Sequence, residues 1–231
     1  MMFLSAGLSA ACALLALPPR ASAVSVAEIN GLKYRTSFVG ANADVTDVQG
    51  IVTAKDRQGI FIRGVERILW GNSLYIYDET LAANTSIVPG DIITLDGKVA
   101  EYRSGPEWIF LTEIKSPKVK DLVKGGPEPE PWVIGLDTPN PPTEQYSALD
   151  FGDVFAIPNN QSLISNVNPD LDPTLYGMDF WQSLSGELVT IRQPVAVSRP
   201  QSSSHFTWVV GGWPTTGRNS RGGLTMTNRG L

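Results

Sequence analysis

The sequence predicts an all-β protein whose main unit is an OB-like, five-stranded Greek-key barrel. β-branched and aromatic residues alternate with polar ones through residues 24–124, and turn signals recur there at roughly the 8–12-residue spacing of all-β domains. No stretch of this region keeps a helical apolar period for three turns. Glycines inside two of the strands, Gly50 and Gly97, are typical of positions where a strand bends around a small barrel.

Five strands can be placed in order along this region. They are Val48–Lys55, Ile60–Arg63, Ser73–Glu79, Pro89–Arg103 and Trp108–Ile114. The fourth is long and has Gly97 near its midpoint. Because the apolar alternation of Ile93 and Leu95 resumes on the same face at Val99, we interpret it as one bent strand. The alternative is a hairpin turn at Asp96-Gly97 between two shorter strands.

The segments on either side of this barrel are predicted from composition. Residues 1–23 combine an apolar run, FLSAGLSAACALLALPP, with the small-residue motif Ala21-Ser22-Ala23, which is typical of a cleaved secretion signal. We therefore expect a secreted, extracellular protein. Residues 125–146 are rich in proline and acidic residues and predict a linker, and residues 147–231 predict an incomplete second β-module.

Two further features of the sequence, its N-glycosylation motifs and its single cysteine, are interpreted in the light of secretion. The motifs Asn84-Thr85-Ser86 and Asn160-Gln161-Ser162 predict N-glycosylation at Asn84 and Asn160 in a eukaryotic secretory pathway. The single cysteine, Cys12, lies inside the predicted signal. Residues 24–231 therefore contain neither a thiolate ligand nor a cysteine nucleophile.

The distribution of charge limits the partners. The chain has a formal net charge of −5, and residues 24–126 carry 12 basic and 13 acidic side chains, whereas residues 127–231 carry 5 and 10. Non-specific attraction to nucleic acid needs a basic surface, so only a local patch on the first half can provide one. We predict single-stranded or extracellular DNA as the partner and no membrane interaction. The oligomeric state does not follow from the sequence.

Little in the sequence supports catalysis. His205 is the only histidine, and no G-x-S-x-G, phosphate-binding glycine loop or H-E-x-x-H motif is present. We predict no catalytic residue, no metal site and no cofactor in this chain. Four residues do have a spacing similar to that of a calcium loop, namely Asn168, Asp170, Asp172 and Asp179. Because Pro173 stands where such a loop needs glycine, an ordinary polar turn is favoured.

The clearest functional prediction concerns the outer face of the second and third strands. If Ile60, Ile62, Leu74 and Ile76 point into the core, the residues between them point outward. OB-folds use aromatic rings and arginines on this face to stack bases, with additional contacts from loops. The predicted nucleic-acid-binding residues are Arg57, Phe61, Arg63, Tyr75, Tyr77, Arg103 and Trp108.

Two alternatives stay open for this region. In the first, the aromatic rings pack under the 64–72 loop or against the second half of the chain instead of binding a ligand. In the second, four lysines that follow the fifth predicted strand form only a solvated edge. Such an edge protects the sheet against pairing with another strand. The lysines are Lys115, Lys118, Lys120 and Lys124.

Several stretches resemble a known family. VSVAEINGLKYRTSFVG, VQGIVTAKDRQGIFIRG and VPGDIITLDGKVAEYRSG are similar, in this order, to the N-terminal OB-fold region of large secreted nucleases with a C-terminal endonuclease/exonuclease/phosphatase domain. FWQSLSGELVTIRQPVAV is similar to the segment that follows in that family. The resemblance implies a secreted, DNA-associated role beside a phosphodiesterase, with Mg²⁺ needed only by that catalytic domain. None of the domain's catalytic residues has a counterpart before Leu231, so we expect a truncated product or a stand-alone module.

Together these expectations describe a secreted, non-catalytic module that contacts nucleic acid within an extracellular nuclease-like protein. An extracellular carbohydrate or cell-wall binding module is the main rival, since exposed aromatic rings stack on sugars as well as on bases. A third interpretation, a hydrolase in its own right, predicts Mg²⁺-dependent nuclease or phosphatase activity from the purified chain.

Overall fold

The structure is a computed structural model, and it describes residues 23–38, 44–105, 108–142, 166–200, 209–213 and 220. Within these ranges the chain consists mainly of strands, which confirms the all-β class. Most of the predicted signal (residues 1–22), the sequon at Asn160 and the histidine His205 lie outside the described residues.

Five strands make up the main sheet. They are β1 (Asp44–Lys55), β2 (Gly59–Gly64), β3 (Ser73–Tyr77), β4 (Ile92–Tyr102) and β5 (Leu111–Val123). Each overlaps a predicted strand. The largest difference is in β5, which begins at Leu111 instead of Trp108 and continues past Ile114 because residues 118–123 pair with the first half of β4. The four lysines that were considered as a solvated edge therefore lie in β5 or directly after it, and β5 is paired with β4.

The pairing pattern places every strand between two neighbours. β1 is antiparallel to β2 and β4, β2 is antiparallel to β3, and β4 is antiparallel to β5. The pair formed by β3 and β5 is parallel. The order is β1-β2-β3-β5-β4, with β4 also paired to β1. This arrangement brings β5 alongside the aromatic face of β2 and β3.

Gly97 lies inside β4, as interpreted from the sequence. It pairs with Val45 of β1, and the register of the β4–β5 ladder shifts between Asp96 and Lys98. A Cβ at Gly97 would overlap the side chain of Ile114, which is fully buried. The glycine therefore allows close packing at an irregularity in a continuous strand. The alternative of a hairpin turn at Asp96-Gly97 is wrong.

The core lies on the inner face of the sheet. Each of the four residues predicted to point inward is at most 2% exposed, namely Ile60, Ile62, Leu74 and Ile76. The short helix α1 (Val26–Asn30) closes over this core through Val26 and Ile29. Its N-terminus is fixed by a capping box in which Ser25 and Glu28 satisfy each other's backbone N–H groups. A second short helix, α2 (Glu79–Ala83), follows β3.

The second half contains shorter elements in its described part. They are β6 (Trp132–Val133), α3 (Gly177–Ser183), β7 (Val189–Thr190), β8 (Val195–Ala196) and β9 (Val209–Val210). β6 is parallel to β7, and β8 is antiparallel to β9. Although it falls in the predicted linker, Trp132 is buried with Phe180 and Leu184, and Trp70 of the main sheet's 64–72 loop packs against them. The second half thus packs on the first; the division into barrel, linker and module stays a prediction.

Candidate ligand-binding cleft

A cleft of about 300 Å³ opens on the outer face of the sheet, where β2, β3 and β5 lie side by side. Four of its lining residues are aromatic, namely Phe61, Tyr75, Tyr77 and Tyr102. Four are polar, namely Asp56, Gln58, Glu113 and Lys115. The volume is at the lower end of the range for small-molecule sites. The cleft therefore suits one ring system of a ligand better than several.

Strand register explains why these side chains meet. Phe61 of β2 is opposite Tyr75 of β3, and their ring centroids are 4.7 Å apart. Across the parallel pair, Tyr75 is next to Glu113 and Tyr77 is next to Lys115. Since alternate residues of a strand point to the same face, the row of rings continues directly into a pair of charged groups.

Tyr75 is fixed at the edge of the cleft. Its O–H donates to Asp56 Oδ1 over 2.8 Å, and the same oxygen accepts the backbone N–H groups of Gln58 and Gly59. A Cβ at Gly59 would lie 2.7 Å from Tyr75 Cζ, so a glycine there leaves room for the ring. Burial, reinforced by the bond to Asp56 and the nearby carboxylates, raises the pKa of Tyr75. The phenol therefore keeps its proton at neutral pH and holds the β1–β2 turn in place.

Glu113 is the most buried charged group in the cleft. Its side chain is 2% exposed, and Lys115 Nζ lies 3.0 Å from its Oε1. Lys115 is 45% exposed, and its ammonium lies 5.9 Å from the centroid of the Tyr77 ring. The cleft thus presents a buried anion beside a cation that reaches solvent.

The structure brings three of the seven predicted binding residues together, namely Phe61, Tyr75 and Tyr77. Arg57 is exposed in the adjoining β1–β2 turn. Trp108, which is 58% exposed, lies in the connection between β4 and β5. The guanidinium of Arg103, in the same connection, lies 4.6 Å from the ring centroid of Phe110. Arg57, Arg103 and Trp108 are not among the residues that line the cleft.

Arg63, the seventh predicted residue, is covered by the second half of the chain. It is only 4% exposed, its Nη1 donates to the carbonyl of Glu130 over 2.9 Å, and the same atom lies 3.5 Å from Glu187 Oε2. The Glu187 side chain is completely buried. The predicted exposure of Arg63 is therefore wrong, because a buried, paired guanidinium does not reach a ligand. Near Arg63, the outer face of the sheet therefore packs against the second half of the chain, as the first alternative above describes.

The sequence did not identify six residues of the cleft, namely Asp56, Gln58, Tyr102, Leu111, Glu113 and Lys115. A signal for two of them was present, since Glu113 and Lys115 alternate with buried Thr112 and Ile114 and so point outward. Their position beside Tyr75 and Tyr77, however, depends on the parallel pairing of β3 with β5. No local pattern specifies such a long-range register.

The four residues with calcium-loop spacing form contacts within the chain. The buried carboxylate of Asp179 accepts the O–H of Tyr34 over 2.6 Å and the backbone N–H of Asp172 over 2.8 Å. Asp170 pairs with Lys33, and Asn168 exchanges hydrogen bonds with the backbone of Arg35. Among the residues described, no group of three or more His, Cys, Asp or Glu is arranged to hold a metal ion.

The first predicted glycosylation site is accessible. Asn84 is exposed directly after α2, and its Oδ1 accepts both the backbone N–H and the O–H of Ser86, over 2.9 and 2.7 Å. Modification of Asn84 stays a prediction.

Comparison with known protein families gives a match in the second half of the chain. Residues 133–230 match a family described as a domain of unknown function (DUF8508). No curated protein and no solved structure matches the chain. Among the described residues, every helix falls short of the length and apolar character needed to cross a membrane. The cleft lies outside the matched residues.

Proposed function

We propose that this chain is a secreted, non-catalytic module that binds single-stranded nucleic acid, and that its main sheet is an OB-like barrel with the cleft as its binding site. The observation that carries the proposal is the position of the cleft. It lies on the β2–β3 face, between the β1–β2 turn and the β4–β5 connection. OB-folds bind oligonucleotides and oligosaccharides on this surface, with these two connections supplying loop contacts.

The lining of the cleft supports a base as the group that enters it. Tyr77 and Tyr102 are 39% and 48% exposed, so their rings are accessible to a flat partner. Stacking between a base and an aromatic side chain is worth about 1–3 kcal/mol and tolerates any base. A single base fits the small volume, and the rest of the strand then lies outside the cleft.

Basic residues around the cleft are suited to the phosphates of such a strand. Lys115 is half exposed at its edge, Arg57 is exposed in the β1–β2 turn, and Arg103 lies in the β4–β5 connection. The chain as a whole has a net charge of −5, so such basic residues are few. We therefore expect few phosphate contacts and a moderate dependence of affinity on salt.

An oligosaccharide is the second candidate ligand. The observation that favours it is the presence of Asp56, Gln58 and Glu113 among the lining residues, since carboxylates and amides accept hydrogen bonds from sugar hydroxyls. This ligand would not need the surrounding basic residues.

The resemblance to the N-terminal region of secreted nucleases supports an extracellular setting for this binding. In that setting the module holds DNA for a separate Mg²⁺-dependent catalytic domain. The chain itself is then expected to leave an oligonucleotide intact when Mg²⁺ is added.

Salt dependence distinguishes the two ligands. We expect fluorescein-labelled (dT)8 to bind the purified chain, with an affinity that falls about seven- to twentyfold between 50 and 200 mM NaCl if two or three phosphates are contacted. Fluorescence anisotropy measures this directly, and a panel of soluble cell-wall oligosaccharides serves as competitor at both salt concentrations. Affinity for an oligosaccharide that does not change with salt, together with no binding of (dT)8, would contradict the proposal and favour the second candidate.

A further inference from the structure

The buried carboxylate of Glu113 is incompletely satisfied by the protein. Within the described part of the chain its Oε1 has no hydrogen-bond partner, although Lys115 Nζ lies 3.0 Å away. The side chain is 2% exposed and lines the cleft. A buried carboxylate oxygen without hydrogen bonds carries a desolvation cost. A ligand that donates hydrogen bonds to this oxygen offsets the cost. Glu113 therefore marks the part of the cleft where a ligand is recognised.

Glu113 and Lys115 together define a pattern of acceptors and donors. They are two residues apart on β5 and point to the same face, with a carboxylate that only accepts and an ammonium that only donates. Hydrogen bonds to ionised groups are stronger than neutral ones. The pair therefore complements a ring edge that presents donors to the carboxylate and an acceptor to the ammonium.

We propose that the cleft prefers guanine among the four bases, with the Glu113 carboxylate accepting from N1–H and the N2 amino group and Lys115 donating to O6. This inference rests on the proposed function, because it requires that a base enter the cleft. Proteins read single-stranded bases through hydrogen bonds to their Watson–Crick edge while an aromatic ring stacks on the base. Tyr77, beside Lys115 in the register, is placed to supply that ring.

The other three bases complement the pair less well. Cytosine presents lone pairs at N3 and O2 beside its amino group, and these lone pairs repel a carboxylate. Adenine offers one amino donor next to the N1 acceptor, and thymine offers one N3–H between two carbonyl oxygens. Only guanine presents two adjacent donors followed by an acceptor, so only guanine satisfies both oxygens of a carboxylate and the neighbouring ammonium.

Pentanucleotides with one base test this preference. Each carries guanine, adenine, cytosine or thymine at the central position and abasic sites at the other four, so that a single base is offered to the cleft. Binding is measured by anisotropy for the whole chain, for Glu113→Gln and Lys115→Met, and for Glu128→Gln as a control. Glu128 is an exposed carboxylate outside the cleft. Titration with (dT)8 is run alongside, and the unfolding midpoint of each variant confirms that it is folded.

We expect the unsubstituted chain to bind the guanine pentamer about fivefold or more tightly than the other three, since a bidentate contact is worth about 1–3 kcal/mol. Glu113→Gln should remove this preference, Lys115→Met should reduce it, and Glu128→Gln should retain it. Equal affinity for all four pentamers, with (dT)8 still bound, would overturn the inference and leave the proposed function standing. A preference that survives in Glu113→Gln would overturn it as well. Absence of binding to any pentamer and to (dT)8 would overturn both. If Glu113→Gln does not fold, the four-way comparison and Lys115→Met decide the result.

Discussion

Replacing Glu187 by alanine is expected to destabilise the protein by about 3–5 kcal/mol at a pH above about 7, where Glu187 is ionised, because it leaves the buried guanidinium of Arg63 without its counter-charge. The two side chains are 0% and 5% exposed, and the shortest distance between them is 3.5 Å. Arg63 lies on β2 and Glu187 lies two residues before β7, so the pair joins the main sheet to the second half. Urea unfolding followed by tryptophan fluorescence measures the change in the free energy of unfolding.

The matched variant removes both charges. Arg63→Met combined with Glu187→Leu should recover most of the lost stability, since replacing a buried ion pair with apolar side chains of similar size is often neutral or stabilising. As a control, Lys33→Met removes a charge whose partner in the second half, Asp170, is 80% exposed, and should change stability by less than about 1 kcal/mol. A double variant as unstable as Glu187→Ala would show that packing of residues 185–188, and not the unpaired charge, is responsible.

The pH dependence of stability tests the same pair. Burial raises the pKa of Glu187 from 4.5 to about 7, although Arg63 and the indole N–H of Trp132 act in the opposite direction. The folded state therefore binds the proton more tightly than the unfolded state, and this contribution to stability is lost as pH rises from about 4.5 to 7. Glu101 has a similarly raised pKa of about 7, again caused by burial, and adds to the slope. Glu187→Gln should therefore reduce the slope without abolishing it.

Removing Tyr77 and Tyr102 together is expected to weaken binding of (dT)8 by about fivefold or more, because one base enters the cleft and its stacking on aromatic side chains is worth about 1–3 kcal/mol. These two tyrosines are the better choice for the test because both are about half exposed. Phe61 and Tyr75 are more deeply packed, and Tyr75 also holds Asp56 in the β1–β2 turn. Anisotropy titrations at 50 mM NaCl, with circular dichroism to confirm the fold, measure the loss.

Trp181→Ala is the matched control for this variant. Trp181 is an exposed aromatic residue, 45% accessible, but it lies on α3 in the second half and outside the cleft. The Trp181→Ala variant should bind (dT)8 with the same affinity as the unsubstituted chain. If Trp181→Ala loses binding and Tyr77→Ala/Tyr102→Ala retains it, the binding surface lies on the second half.

The sequence predicted the parts of the fold that depend on local alternation. Ile60 and Ile62 on β2 point inward, which places Phe61 on the outer face. Gly97 was interpreted correctly for a similar reason, because the apolar positions on either side of it share one face. These features follow from the two-residue period of a strand and need no knowledge of the partner strand.

What the sequence did not predict depends on residues far apart in the chain. Arg63 shares the outer face of Phe61, yet Glu187, more than a hundred residues later, covers it. Glu113 became part of the cleft only through the parallel pairing of β3 with β5. Likewise, Trp132 sits in a segment whose proline content is typical of a linker, but it packs on the aromatic residues of the second half. Tertiary contacts of this kind leave no periodic signal in a single sequence.

The central claim is that a single-stranded oligonucleotide binds on the outer face of β2, β3 and β5. Titration of the ¹⁵N-labelled chain with (dT)8, followed through backbone amide chemical shifts, tests it most directly. The largest changes are expected at Phe61, Tyr75, Tyr77, Tyr102 and Lys115. Changes confined to α3 and the second half, or a spectrum unaffected by saturating (dT)8, would contradict it.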